Sequence, residues 1–422
     1  MTRIGILAGG GRLPLMIAES VAARGESVHI VAIVGEADPD IARFPHTWVN
    51  WGQIGRMVAT LRAKGVDRLV IAGGVKRPDL RRIRPDLGFF MSLPRIVGLL
   101  AGGDDSVLTR VVRFFEAKGF RVNGVHEVAP DLLAGAGSMG GVALGREDAA
   151  AAELGFAVRQ ALGVVDAGQA VVVAQDEVLA IEGAEGTDAM LQRVAALSRR
   201  GAPREPRGVL AKGPKPGQEL RVDMPAIGPR TIEQATAAGL AGVVVEAGAV
   251  LVLDRNEAVR AADAAGCAIH GLAPLVGRPQ VRDGAAMGRV VGRRRPSRRD
   301  AADMETGLAT VAALAPFATG ASVVVVRHYV LAIEAAEGAL AMLERAAALR
   351  QWGLRWHRVG VLVRRADEAT MEERVLQALL AKAASQQLAG IAVTGPAAAL
   401  APYEAAARRA DDYGLFLVLC DI

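Results

Sequence analysis

The sequence predicts an α/β protein made of more than one unit, and three observations lead there. Short apolar runs alternate with amphipathic stretches over residues 1–130, the pattern of parallel strands joined by right-handed crossover helices. The same alternation resumes over 146–277. Finally, Val178–Leu197 (VLAIEGAEGTDAMLQRVAAL) matches Val330–Leu349 (VLAIEAAEGALAMLERAAAL) at 15 of 20 positions, a shift of 152. At 422 residues the chain is too long for one ordinary domain, and 51% of it is hydrophobic, enough to fill several cores.

In chain order, Ile4–Ala8 reads as a strand, Gly9–Gly11 as a tight turn and Leu13–Arg24 as a helix. Strand Val28–Ile33, helix Gln53–Lys64 and strand Arg68–Ala72 continue the alternation, which makes residues 1–130 a Rossmann-like N-terminal domain. Its strand–GGG–helix opening suits a phosphate at a helix N-terminus, through Gly10 and Gly11, or equally a tight turn without a ligand. It is neither GxGxxG followed by an acid nor a Walker loop, which weakens a nicotinamide-dependent dehydrogenase as a reading. Lys76 and Arg77 follow the strand Arg68–Ala72 and place two cations at the carboxyl edge of the sheet, where α/β proteins bind ligands. Arg81, Arg82 and Arg84 precede Leu87–Met91, a combination that fits an acyl chain or an anionic bilayer surface as well as it fits an ordinary loop. Gly103–Ser106 reads as the cap of helix Val107–Lys118.

Residues 131–145 are small and Gly-rich and read as a linker. The second domain, 146–277, begins with helix Glu147–Ala161. Strands Ala170–Ala174 and Val178–Ile181 follow, then helix Ala189–Leu197, strand Gly208–Ala211, helix Thr231–Ala238, strands Gly242–Glu246 and Ala249–Asp254, and helix Glu257–Ala265. Polar residues cluster just past these strands, where ligand sites form. Glu182, Glu185, Thr187 and Asp188 follow one; Lys212, Lys215, Gln218, Arg221 and Asp223 follow another. Solvated loop charges give the same composition. The prolines and glycines of 213–229, however, stiffen the loop and aim its side chains. Lysines hold phosphates, and carboxylates hold a divalent cation or orient a water. The set therefore suits a phosphorylated or pyrophosphorylated substrate.

The repeat separates fold from chemistry. Residues 303–422 duplicate the second domain, with a four-residue deletion before Leu388–Gly390. Thr187 and Asp188 become Ala339 and Leu340, and Met371 stands opposite Asp223, whereas Glu182 and Glu185 persist as Glu334 and Glu337. The third domain is expected to keep a core and to lack the activity. Between the copies, residues 282–299 hold seven arginines and one acid, a net of +6, so the rest of this +5 chain is near −1. The basicity belongs to one segment, read as the tether 278–302, and with few aromatics it predicts no nucleic-acid partner. Cys267 and Cys420 form no disulfide framework. With no secretory leader and no spanning segment, a cytoplasmic protein is expected, with peripheral contact at the inner membrane surface.

Several motifs together carry a resemblance: GILAGGGRLP at the start, AGGVKRP at 72–78, GGDDSVLTRVVRFFEAKGF at 102–120, DAGQAVVV at 166–173, VLAIEGAEGTDAML, and KGPKPGQELRVDMPAIGPRTIE. In this order the first 277 residues resemble the UDP-2,3-diacylglucosamine pyrophosphatases of lipid A biosynthesis, the LpxI class. The resemblance implies two domains with the lipid substrate between them. It also implies a divalent cation, usually Mg2+, and hydrolysis to UMP and lipid X (2,3-diacylglucosamine 1-phosphate) by water attacking the phosphorus nearer the sugar. The essential aspartate of the family's RxDxP motif falls on Asp223, and Glu219 departs from the aspartate usual after KPxQ. On this reading Asp223, Asp188 and Lys215 are catalytic, with Asp223 and Asp188 as metal ligands. Gly10, Gly11, Lys76, Arg77, Thr187, Lys212, Gln218 and Arg221 bind substrate. The alternative is a catalytically inactive UDP-sugar or lipid-precursor binding or regulatory protein. If the family's catalytic domains pair as a homodimer, the extra domain is expected to take the partner's place as an intrachain pseudo-dimer.

Overall fold

The computed structural model describes residues 3–74, 86, 104–198, 208–274, 288–349, 357–366, 373–395 and 403–420. The N-terminal domain is a five-stranded sheet of β1 (Arg3–Ala8), β2 (Ser27–Ile33), β3 (His46–Val49), β4 (Arg68–Ala72) and β5 (Arg121–Asn123). Its order is β3-β2-β1-β4-β5 and every pair is parallel. Buried on both faces, β1, β2 and β4 read as nearly continuous apolar runs, which is why they stand out in the sequence. The half-polar β3 and the three-residue β5 carry no such signal. The strand order reverses beside β1, so a crevice opens between the carboxyl ends of β1 and β4. There the two chain turns meet: Gly10 N donates to Gly74 O and Gly74 N to Gly10 O. A Cβ on Gly9 would stand 2.7 Å from Gly74 O, so this approach needs glycine.

The second domain is a six-stranded mixed sheet. Its strands are β6 (Gly137–Ser138), β7 (Ala170–Ala174), β8 (Glu177–Ile181), β9 (Val209–Lys212), β11 (Gly242–Glu246) and β13 (Ala268–Leu272), in the order β6-β13-β11-β9-β7-β8. Strands β9, β11 and β13 are parallel, with antiparallel β7, β8 and β6 outside them. The expected strand Ala249–Asp254 is instead the short β12 (Leu251–Val252), paired with β10 (Ala226–Ile227) away from the main sheet. Leu251 and Leu253 there pack into the core of the N-terminal domain. The segment 131–145 also differs from a free linker. Leu133 bridges to Leu251, and β6 forms the sheet's edge, a two-residue strand too short to leave a periodic pattern.

The third domain repeats this sheet as β14 (Arg289–Val290), β15 (Ser322–Val326), β16 (Tyr329–Ile333), β17 (Val361–Arg365), β18 (Gly390–Thr394) and β19 (Phe416–Cys420), in the order β14-β19-β18-β17-β15-β16. Each strand takes the place of its counterpart, and helix Arg298–Leu314 repeats helix Arg146–Leu162. The copy thus begins earlier than residue 303, because β14 and the first turn of that helix lie within the arginine-rich stretch.

The two copies face each other about a pseudo-twofold axis. Helices Arg146–Leu162 and Arg298–Leu314 are in contact, and one hydrophobic core takes Phe156, Leu162, Val171 and Ala211 from the second domain with Leu308, Leu314, Val323 and Val363 from the third. The hydrogen bonds are reciprocal: Ala184 N donates to Leu331 O at 3.1 Å and Ala336 N to Leu179 O at 3.4 Å. At the centre Arg193 pairs with Glu185 (2.9 Å) and Glu337 (3.1 Å), and Arg345 pairs with Glu337 (2.5 Å) and Glu185 (2.9 Å). The guanidinium groups are 13% exposed and the carboxylates 3% and 5%. The persistence of Glu185 as Glu337 is therefore structural. Removing one member of such a quartet leaves buried like charges facing each other. Arg345→Met is expected to lower stability by about 3 kcal/mol, measured by chemical denaturation of the full chain. A loss under about 0.5 kcal/mol would put the quartet among exposed ion pairs of little consequence.

Candidate functional site

The site gathers where β9 ends and the loop 213–225 begins. Lys212, the last residue of β9, is 7% exposed and aims inward. Its Nζ donates to Thr187 Oγ1 and to Ala226 O, both at 2.9 Å. The Thr187 hydroxyl donates in turn to Glu182 Oε2 at 3.0 Å. Burial pushes the Glu182 carboxyl up and the Lys212 ammonium down, and the attraction between the two charges opposes both shifts. Lys212, Thr187 and Glu182 form one buried relay beneath the loop.

The loop itself is organised by Gln218. Its Oε1 accepts from Lys215 N at 2.9 Å and from Gln169 Nε2 at 3.3 Å, while its Nε2 donates to Asp223 Oδ2 at 2.6 Å. Gln218 thus fixes the orientation of the Asp223 carboxylate. Asp223 N also donates to Glu219 O at 3.0 Å, which closes a turn. The residues on either side anchor it: Val222 packs on the core that contains Phe115 and Phe120, and Met224 on the core that contains Ile6 and Val125. These cores lie in the N-terminal domain. Arg221 lies at the carboxyl end of β5, its Cα 3.2 Å from where a Gly124 Cβ would stand. Asp223 is thereby presented to the carboxyl edge of the N-terminal sheet, the edge on which Gly10 also lies.

The remaining expected residues are placed differently. Arg221 forks onto Glu219 (2.8 and 2.7 Å) and reaches Glu116 of helix Asp104–Glu116 at 2.8 Å. The hydrogen bonds from Arg221 hold the Glu219 carboxyl below its usual range. Arg221 therefore ties the two domains together and orders the loop. Asp188 pairs with Arg230 at 2.9 Å, both well exposed, and no hydrogen bond or ion pair joins it to Asp223 among the described residues. Lys215 lies 3.4 Å from Asp166. Gly10 is engaged with Gly74 as described, and Gly11 follows with a positive φ of 85°. Lys76, Arg77 and the apolar Leu87–Met91 lie outside the described residues.

For a divalent cation, the described residues hold no cluster of three or more His, Cys, Asp or Glu side chains. A cage made of protein ligands alone does not fit there. A Mg2+ ion that takes one or two carboxylates and completes its shell with phosphate oxygens and water does fit, with Asp223 as the oriented carboxylate.

Residue type alone does not single out Arg159 and Glu246. Arg159 lies on helix Arg146–Leu162 with its side chain 5% exposed. It donates to Gln169 O at 2.9 Å and Pro214 O at 2.8 Å, and stands 3.9 Å from Glu246 at the end of β11. Burial lowers the Arg159 guanidinium to about 10 and raises the Glu246 carboxyl. The repeat held the signal, since the counterparts are Val311 and Thr394.

An N-terminal parallel sheet followed by two copies of a mixed α/β domain agrees with the family models that match this sequence. The model of the LpxI N-terminal domain covers residues 3–132, and that of the LpxI C-terminal domain matches twice, at 135–270 and 288–418. The chain belongs to the LpxI family and carries its C-terminal domain in duplicate. It is similar to the UDP-2,3-diacylglucosamine pyrophosphatase LpxI of Caulobacter vibrioides, with 42% identity over 276 residues, 65% of this chain and 99% of that protein. No helix among the described residues is long and apolar enough to cross a membrane.

Proposed function

We propose that this chain hydrolyses the pyrophosphate bond of UDP-2,3-diacylglucosamine, yielding UMP and lipid X, at a single site centred on Asp223. The observation that carries this reading is the Asp223 carboxylate, clamped by Gln218 on a loop held by both domains and replaced by Met371 in the second copy. Membership of the family and the pyrophosphatase named above supply the reaction and the substrate class. A water oxygen bonds to the phosphorus nearer the sugar, the bridging P–O bond breaks, and UMP leaves with the bridging oxygen. Asp223 orients that water and would be the carboxylate that holds a Mg2+ ion, which when bound would offset phosphate charge. Lys215, on the same loop and 3.4 Å from Asp166, exchanges that carboxylate for the diphosphate. The buried relay of Lys212, Thr187 and Glu182 holds the floor of the site through Ala226 O.

The test is direct. Purified protein incubated with UDP-2,3-diacylglucosamine and Mg2+ in 18O-labelled water is expected to release UMP and to place the label in lipid X. Absence of UMP overturns the reading, and label in UMP overturns the direction of attack.

A further inference from the structure

We propose that Arg159 and Glu246 are a positioning pair that holds the loop 213–223 in its working shape, an assignment that rests on the pyrophosphatase reading above. The geometry is specific. The Arg159 guanidinium uses one nitrogen on Gln169 O, a second on Pro214 O and faces Glu246 with the third. Gln169 O also accepts from Gly213 N at 3.2 Å, so Arg159 holds one end of the Gly213–Pro214 step directly, at Pro214 O, and the other through Gln169 O. A Cβ on Gly213 would stand 2.7 Å from Arg159 Nη2, so the contact is as close as glycine allows. From Pro214 the order passes to Lys215, whose amide binds Gln218, which binds Asp223. Arg159 touches neither Asp223 nor Lys215 and acts on both through the backbone between them.

The chain contains its own control. Helix Arg298–Leu314 has the length and setting of helix Arg146–Leu162, yet Val311 stands where Arg159 does, fully buried. Thr394, also fully buried, stands at the end of β18 in the place of Glu246. Both charges were exchanged for uncharged residues in the copy that also lacks Asp188, Lys215 and Asp223, and the strand order is unchanged. The fold therefore does not need this pair. Buried ion pairs replaced by well-packed neutral residues commonly leave stability the same or higher. What the second domain keeps, and the third has exchanged for Met371, is the Asp223 carboxylate to aim.

The experiment transplants the third domain's solution into the second. The double variant Arg159→Val/Glu246→Thr of the full chain is measured for melting temperature, for kcat and KM of UMP release, and for amide hydrogen exchange across 213–223. The expected result is a melting temperature within a few degrees of the parent, faster exchange confined to 213–223, and a kcat lowered about a hundredfold, as a displacement of about 1 Å in a catalytic group produces. Arg159→Lys is expected to rescue little, because one ammonium cannot span two carbonyls and a carboxylate in the fork geometry of a guanidinium. Parent-like kcat and exchange in the folded double variant would overturn the proposal. So would a large drop in melting temperature, which would make the pair part of the fold. The exchange measurement needs no substrate. A parent chain that releases no UMP therefore sinks the pyrophosphatase reading, while the exchange data still decide the pair.

Discussion

Asp223→Ala is expected to lower UMP release by about three orders of magnitude or more while the protein stays folded, the scale of loss seen when a catalytic group acting as part of a unit is removed. Among the described residues the side chain belongs to no core; its neighbours Val222 and Met224 supply the anchoring, and its one side-chain hydrogen bond there goes to Gln218. Gln218 is half-buried and keeps Lys215 N and Gln169 as partners after the change, so the loop has reason to persist. The comparison to make is steady-state UMP release beside the melting temperature. Parent-like rates in a folded variant would remove Asp223 from the chemistry. Asp223→Asn is a finer test, since it keeps the shape and the contact with Gln218 but loses the charge that a cation or water needs.

Exhaustive chelation is expected to remove UMP release almost entirely, and added Mg2+ to restore it. The described cations around the site already have carboxylate partners. Lys212 is matched by Glu182, Lys215 by Asp166, Arg221 by Glu219 and Glu116, and Arg230 by Asp188. A diphosphate arriving beside Asp223 therefore adds anions to a neighbourhood whose described cations are already paired. Like charges a few ångströms apart cost several kcal/mol at the dielectric of a protein surface, about 4 kcal/mol at 4 Å, which a divalent cation offsets. Rates after EDTA treatment and dialysis, followed by a Mg2+ titration, decide this. Full activity without added metal would return the task to the lysines.

How much of this was legible depended on where partners sit. The central strands were plain because Val-rich runs buried on both faces need no context to be recognised. The duplication was plain because Val178–Leu197 recurs almost intact. The edge strands Gly137–Ser138 and Arg289–Val290 were not, since two residues define no period, and both lay in stretches read as linker. In the site, the Asp223 loop was recognised from its prolines, glycines and carboxylate. Arg221 looked like a phosphate ligand because nothing local shows that Glu116, 105 residues earlier, will meet it. Lys212 reads as a substrate ligand just past a strand, and only the sheet shows it buried against Ala226. Arg159 looked like one more arginine on a helix; only Val311 at the matching place reveals that the position is interior.

The reciprocal face between the two copies has a bearing on dilution. Separate subunits joined through such a face would part as their concentration falls, because association is a second-order event. Here the same contacts are made within one covalent chain, where a tether sets an effective concentration in the millimolar range for short flexible links, whatever the amount of protein present. The shared core around Phe156, Val171, Leu308 and Val323 therefore stays closed at any abundance. With the single site proposed at Asp223, saturating substrate is expected to titrate to one bound molecule per chain.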